Sequence, residues 1–190
     1  MRSFHSAAFL TTTFLLLTCG CVHKIHVPSA PAESAGTSIP GTVQVRVPFL
    51  ALEGADHMPG IVLLKWPAAD LQQALVGFFR DRRTFTETGT VPGDWLLSVK
   101  GWLTLRAPDH YVYRIHLEAD LSRPGRSVLK TYAADGEAVG GTVRWVTSSD
   151  EEPIVAATNQ AMRELAAQLE ADKGRLVNET GLRQIPDSKP

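Results

Sequence analysis

The chain has 190 residues, 44% hydrophobic and 21% charged, with a formal net charge of -1. That length supports one domain with a sizeable core, and the balanced charge excludes the overall basic excess with which proteins meet nucleic acid, so no nucleic-acid partner is expected. Both cysteines, Cys19 and Cys21, lie near the N-terminus, which excludes a disulfide, a thiol nucleophile or a cysteine metal site in everything that follows them.

The first 20 residues read as a signal peptide. Arg2 supplies the positive start, residues 7–17 are apolar and threonine-rich, and Thr18-Cys19-Gly20-Cys21 follows. The apolar run is too short to serve as a mature membrane-spanning helix. The ending resembles the lipobox of bacterial lipoproteins, in which a small residue precedes a cysteine that becomes acylated and N-terminal. Gly20 makes Cys21 the better match; Cys19 would need Thr18 in that role, and Leu17 sits one place further upstream than usual. The resemblance implies a lipid on Cys21, and Val22 after it, rather than Asp, implies sorting to the outer membrane of a Gram-negative cell. Ordinary secretion without lipid is the alternative.

Residues 21–41 shift to Pro, Ala, Ser and Gly, with Pro28, Pro31 and Pro40 spaced through them, and read as a lipidated flexible tether. His23 and His26 stand here without a third ligand, so no metal site is expected. A single α+β domain is expected over residues 42–174, and a loose polar tail over 175–190.

Within the domain, Val43, Val45 and Val47 alternate with polar residues before Pro48, which suggests a short edge strand. Residues 61–66 form a second strand. Leu71, Ala74, Leu75, Phe78, Phe79 and Phe85 recur at helical spacing, with Asp70 in the first turn and Arg80, Arg82 and Arg83 near the end, all favourable to the helix dipole.

The strongest pattern is two alternating runs. Trp95, Leu97, Val99, Leu103 and Leu105 are followed, after Pro108-Asp109, by Tyr111, Tyr113, Ile115, Leu117, Ala119 and Leu121. Period two with one apolar face predicts a hairpin. Pairing Leu105 with Tyr111 and Val99 with Leu117 keeps every apolar residue on one face, and a slip of one would not. That register sets Trp102 opposite Arg114 on the polar face, as a cation–π pair or as the start of a partner surface. A further strand is expected over 127–134 and a loop over 137–145. A helix then opens after Ser149 and Glu152, carries Ile154, Ala157, Ala161, Leu165 and Leu169 on one stripe, and stops at Gly174.

Together these predict a two-layer α+β sandwich: an antiparallel sheet of four to five strands with two helices on one face. No phosphate loop, dinucleotide fingerprint or metal-ligand spacing occurs, and no cofactor is expected. Ser98, His116 and Glu118 share the polar face, but lack a nucleophile turn or oxyanion hole, so they read as solvated strand positions and the chain as no enzyme.

Strand, helix, three strands and helix behind a lipoprotein leader, with Trp66-Pro67-Ala68-Ala69-Asp70-Leu71-Gln72-Gln73-Ala74-Leu75 opening the first helix, resemble the auxiliary lipoproteins of ABC-type (MCE-like) lipid transporters. The likeness covers roughly residues 61–172. It implies a non-catalytic, periplasm-facing accessory of an envelope machine, held to the membrane by lipid and bound to a protein partner. A lipid- or small-molecule-binding module is the second reading. The candidate partner residues are Trp102, Arg114, Val43 and Val45; the candidate lipidation site is Cys21.

Overall fold

The computed structural model describes residues 21–28, 38–53, 62–106, 111–140 and 151–181. Its elements are β1 (Cys21–Lys24), β2 (Ile39–Glu53), β3 (Val62–Lys65), α1 (Ala68–Arg82), β4 (Phe85–Gly89), β5 (Trp95–Arg106), β6 (Val112–Ser122), β7 (Val128–Val139), α2 (Glu151–Ala171) and α3 (Lys173–Gly181). The five-stranded main sheet has the order β4-β2-β5-β6-β7, and β1 and β3 form a separate parallel pair.

The alternating runs make the centre of this sheet. In β5 and β6, Trp95, Leu97, Val99, Leu103, Leu105, Tyr113, Ile115, Leu117, Ala119 and Leu121 are all buried, and both helices cover that face. The hairpin register differs from the expected one by two: Leu105 pairs with Tyr113, and Trp102 with His116. A slip of two keeps every side chain on its face, so the hydrophobic pattern cannot detect it.

The sheet is mixed rather than wholly antiparallel, because β2 runs parallel to both β4 and β5. The cause is α1, which carries the chain back along the sheet so that β4 and β5 both enter in the direction of β2. Nor is the first part of β2 an edge. Residues 39–44 pair with β4, and from Val43 onward β2 also pairs with β5. Beyond Gln44 the β5 side alone is paired with a strand, but Val43 and Val45 are both fully buried. Pro48, expected to end the strand, falls inside a register shift between Arg46 and Phe49, where its missing N–H does not interrupt a ladder bond.

Helix α1 buries Leu71, Leu75, Phe78 and Phe79 against β2 and β4. It ends at Arg83, a non-glycine residue in the left-handed region (φ 59°) whose N–H donates to the Arg80 carbonyl oxygen at 3.1 Å. Phe85, expected on the helical stripe, instead opens β4, and its ring meets Phe79 edge-on at 6.4 Å. Arg82 then ties α1 to α2. Its guanidinium donates to both oxygens of Glu170, at 2.7 and 2.9 Å.

Helix α2 buries Ile154, Ala157, Ala161, Leu165 and Leu169, the expected stripe, over β6 and β7. The approach is close at Gly136, where a Cβ would lie 1.9 Å from the Ala157 carbonyl oxygen. One further row of α2 faces the outer edge of β7. Gln160 accepts from the Glu137 backbone N–H (3.2 Å), Glu164 accepts from that of Asp135 (3.1 Å), and Gln168 donates to the Ala133 carbonyl oxygen (2.7 Å). Helix side chains thus take the place of a sixth strand along this edge.

The boundaries of the domain also move. Inside the expected tether, β1 pairs with β3, Ile25 and Val27 are buried, and Ile39 begins β2. The Ile25 N–H donates to the Lys65 carbonyl oxygen at 2.9 Å. Two apolar side chains within a polar composition are enough to dock the segment, which the average composition hides. At the other end, residues 173–181 are helical as α3, with Leu176 buried, and Gly174 lies inside that helix instead of stopping one. The expected strand over 127–134 runs on to Val139, so the first part of the expected loop over 137–145 is strand; residues 141–150 lie outside the described ones.

Candidate partner-binding surface

With α1 and α2 on one face, the other face of the main sheet carries the even positions of β5 and β6, the odd positions of β7 and, beyond the Pro48 shift, Phe49 and Ala51 of β2. The register lines up Ala51, Trp102, His116 and Asp135 as one row across four strands. Rings occupy its middle. The Trp102 ring lies 5.6 Å from that of Phe49 and 5.6 Å from that of His116, both tilted. Phe49 is 45% exposed, so the row presents aromatic surface to solvent between polar flanks.

The flanks are internally paired. Lys100 Nζ donates to Glu118 at 2.7 Å, a hydrogen bond that raises the lysine pKa above its ordinary value. His116 Nδ1 lies 3.0 Å from Asp135 Oδ1, Thr131 donates to Asp120 at 2.6 Å, and Arg114 is bonded to Glu137. Exposed pairs of this kind contribute little stability, because water and salt screen them. Their consequence here is that the charge on this face is largely balanced locally.

The structure separates the expected site residues. Trp102 keeps its place on the open face, but faces His116; Arg114 stands opposite Thr104 and is held by Glu137, so the cation–π pair of Trp102 with Arg114 does not form. The two-residue difference in register is the reason. Val43 and Val45 offer no partner surface: Val43 is paired with both β4 and β5, Val45 is paired with β5, and both side chains are fully buried. Ser98, His116 and Glu118 are engaged separately: Ser98 pairs in register with Asp120, His116 contacts Asp135, and Glu118 takes Lys100. Sequence reasoning missed Phe49, because reading Pro48 as a strand end hid the switch of face after it. The signal was present as Phe49, Ala51 and Glu53 at alternate positions.

At its β7 end the row opens into a cleft of about 380 Å³ lined by Arg114, Asp135, Gly136, Glu137, Gln160 and Glu164. It is polar and shallow. On the covered side, the Asp172 carboxylate joins Lys130 (2.5 Å) and the Tyr132 hydroxyl (3.0 Å) at the junction of α2 and α3. The Lys130 hydrogen bond holds the Asp172 carboxyl below its ordinary range, and burial pushes the Tyr132 hydroxyl above its own. The cluster clamps β7 to the helices. Among the described residues, no group of three or more His, Cys, Asp or Glu is placed to hold a metal, and no helix is long and apolar enough to cross a membrane.

No family model and no curated protein matches the chain. Solved structures do. A Xanthomonas campestris protein of the DUF330 family superposes with a TM-score of 0.55 at 12% identity, over 85% of this chain and 99% of that one. A minor lipoprotein from Acinetobacter baumannii is matched with a TM-score of 0.43 at 11% identity, over 65% of this chain and 93% of that one. The chain shares the fold of the DUF330 protein.

Proposed function

We propose that this chain is a non-catalytic accessory lipoprotein of the cell envelope, anchored through Cys21 and facing the periplasm from the outer membrane, that binds a protein partner over the open sheet face. The observation that carries the partner reading is the aromatic row of Phe49, Trp102 and His116 on the face opposite α1 and α2. Aromatic anchors ringed by polar groups are the composition of interface hot spots. The internally balanced charges around them fit such a surface, since they stay satisfied whether or not a partner is bound. The anchor rests on the leader and on Gly20 before Cys21; service to a lipid transporter rests on the resemblance of residues 61–172.

Crosslinking in membranes followed by affinity capture tests the surface. Trp102→Ala and Phe49→Ala proteins are expected to remain folded, with melting temperatures within a few degrees of the wild type, and to capture the partner several-fold less well. Full capture by both folded variants would refute the surface.

A further inference from the structure

In a lipid-anchored protein, the length of free chain behind the acylated residue decides how far the domain can stand from the bilayer. Composition suggested about 20 residues of tether, with a reach on the order of 60 Å if extended. The fold removes most of that length. β1 starts at Cys21 itself, in parallel register with Val62, and runs to Lys24 opposite Lys65. Ile25 follows at once, with no exposed surface and its N–H bonded to the Lys65 carbonyl oxygen, and Val27 is 2% exposed. Only three residues separate Cys21 from Ile25, a path of about 13 Å over four strand steps. On β3, the exposed Lys65 adds a positive side chain at this end, which phosphate headgroups favour.

We infer that the β1–β3 end of the domain is its membrane-facing end, held directly against the lipid headgroups with almost no slack, so that the protein acts at the bilayer surface rather than at a distance from it. This rests on the reading of Cys21 as the lipidated residue. It adds a surface, β1 with β3, and a partner for it, the phospholipid bilayer.

The test uses the full-length protein purified from membranes and reconstituted in phosphatidylethanolamine–phosphatidylglycerol vesicles. The mass of the N-terminal peptide first reports whether Cys21 is acylated; an unmodified Cys21 overturns the anchor, and the membrane-facing assignment with it. Hydrogen exchange at Ile25 then reports docking by itself. A docked β1 slows that amide at least a hundredfold relative to an unstructured peptide, and an unprotected Ile25 on acylated protein overturns the inference while leaving the anchor standing. Finally, beyond Cys21 the chain has no cysteine, so a Lys65→Cys variant takes one dye. Energy transfer from that dye to a headgroup acceptor is expected to fall at least twofold when a 20-residue Gly-Ser spacer, with a root-mean-square span of about 25 Å, is inserted between Cys21 and Val22. Equal transfer with and without the spacer would show that the native protein already stands off the membrane, and would overturn the inference.

Discussion

Replacing Gly136 by alanine adds one methyl group where the backbone of α2 lies close against β7. An ideal Cβ there would sit 1.9 Å from the Ala157 carbonyl oxygen, 2.8 Å from its carbonyl carbon and 2.9 Å from the Ala161 nitrogen. These are backbone atoms of a helix, so no side-chain rotation relieves the overlap. An ordinary contact needs about 1.5 Å more than the oxygen has, and α2 would have to lift off β7 by about that much. Lifting it would strain the bonds of Gln160 and Glu164 to the strand edge and loosen the packing of Ile154, Ala157 and Ala161. Overpacking of this kind costs about 3 kcal/mol, a fall in melting temperature of roughly 6–12 °C for a domain of this size. The matched control is Gly174→Ala, in α3, where a Cβ would meet nothing within 4 Å. That change is expected to leave stability unchanged or raise it by up to about 1 kcal/mol, as alanine does in helices. Thermal unfolding followed by circular dichroism reads both. A Gly136→Ala protein that melts within 2 °C of the wild type would refute the close approach.

Leu75→Ala should cost about 2–5 kcal/mol, as emptying a fully buried leucine site does, while Ser98→Ala on the open face should cost under about 0.5 kcal/mol; equal shifts in urea midpoint would contradict the assigned faces. For Asp172, the folded pKa lies below the unfolded value, so its contribution is present above about pH 4 and is lost as the pH falls through the folded value. The gap in urea midpoint between wild type and Asp172→Asn is therefore expected to stay constant between pH 7 and 5 and to close on further acidification; a gap that persists at pH 2 would show that the carboxylate charge is not its source. Cys21→Ala should leave the protein uncleaved or outside the membrane fraction, whereas Cys19→Ala should still fractionate with membrane, and an unmodified N-terminus on mature wild type would exclude the anchor.

What the sequence disclosed tracks with how local the deciding interaction is. Period two in β5 and β6 and period 3.6 in α1 and α2 identified the elements and their buried faces, because burial acts on each side chain where it stands. Pairing sense and partner are long-range properties, and these were hidden. Nothing in Val43, Val45 and Val47 says that the strand begins between two parallel neighbours. Arg83 ends α1 without the glycine that would have signalled it, so Phe85 was drawn into the helix. Of the candidate surface, Trp102 was legible as a large aromatic on a polar face. Phe49 and His116 were not recognisable beside it, since one depended on the Pro48 shift and the other on a register that the pattern leaves free by two.

The seal along β7 works like a vernier. Its three helix residues are spaced by four, and each four-residue step of a helix advances about 6.0 Å. The strand groups they meet are spaced by two, a step of about 6.7 Å. The scales disagree by only about 0.7 Å per rung, and the long side chains of Gln160, Glu164 and Gln168 can absorb that over the three rungs observed. A seal built this way is bounded in length, because each added rung would increase the mismatch until the reach of a glutamine was exceeded. It also favours side chains as long as Glu or Gln: shortening the middle one, as in Glu164→Asp, removes a methylene from the rung that bonds Asp135. A stripe of amides and acids at every fourth position of a helix, ordinarily read as a solvated face, is here the fitting that closes one margin of the sheet.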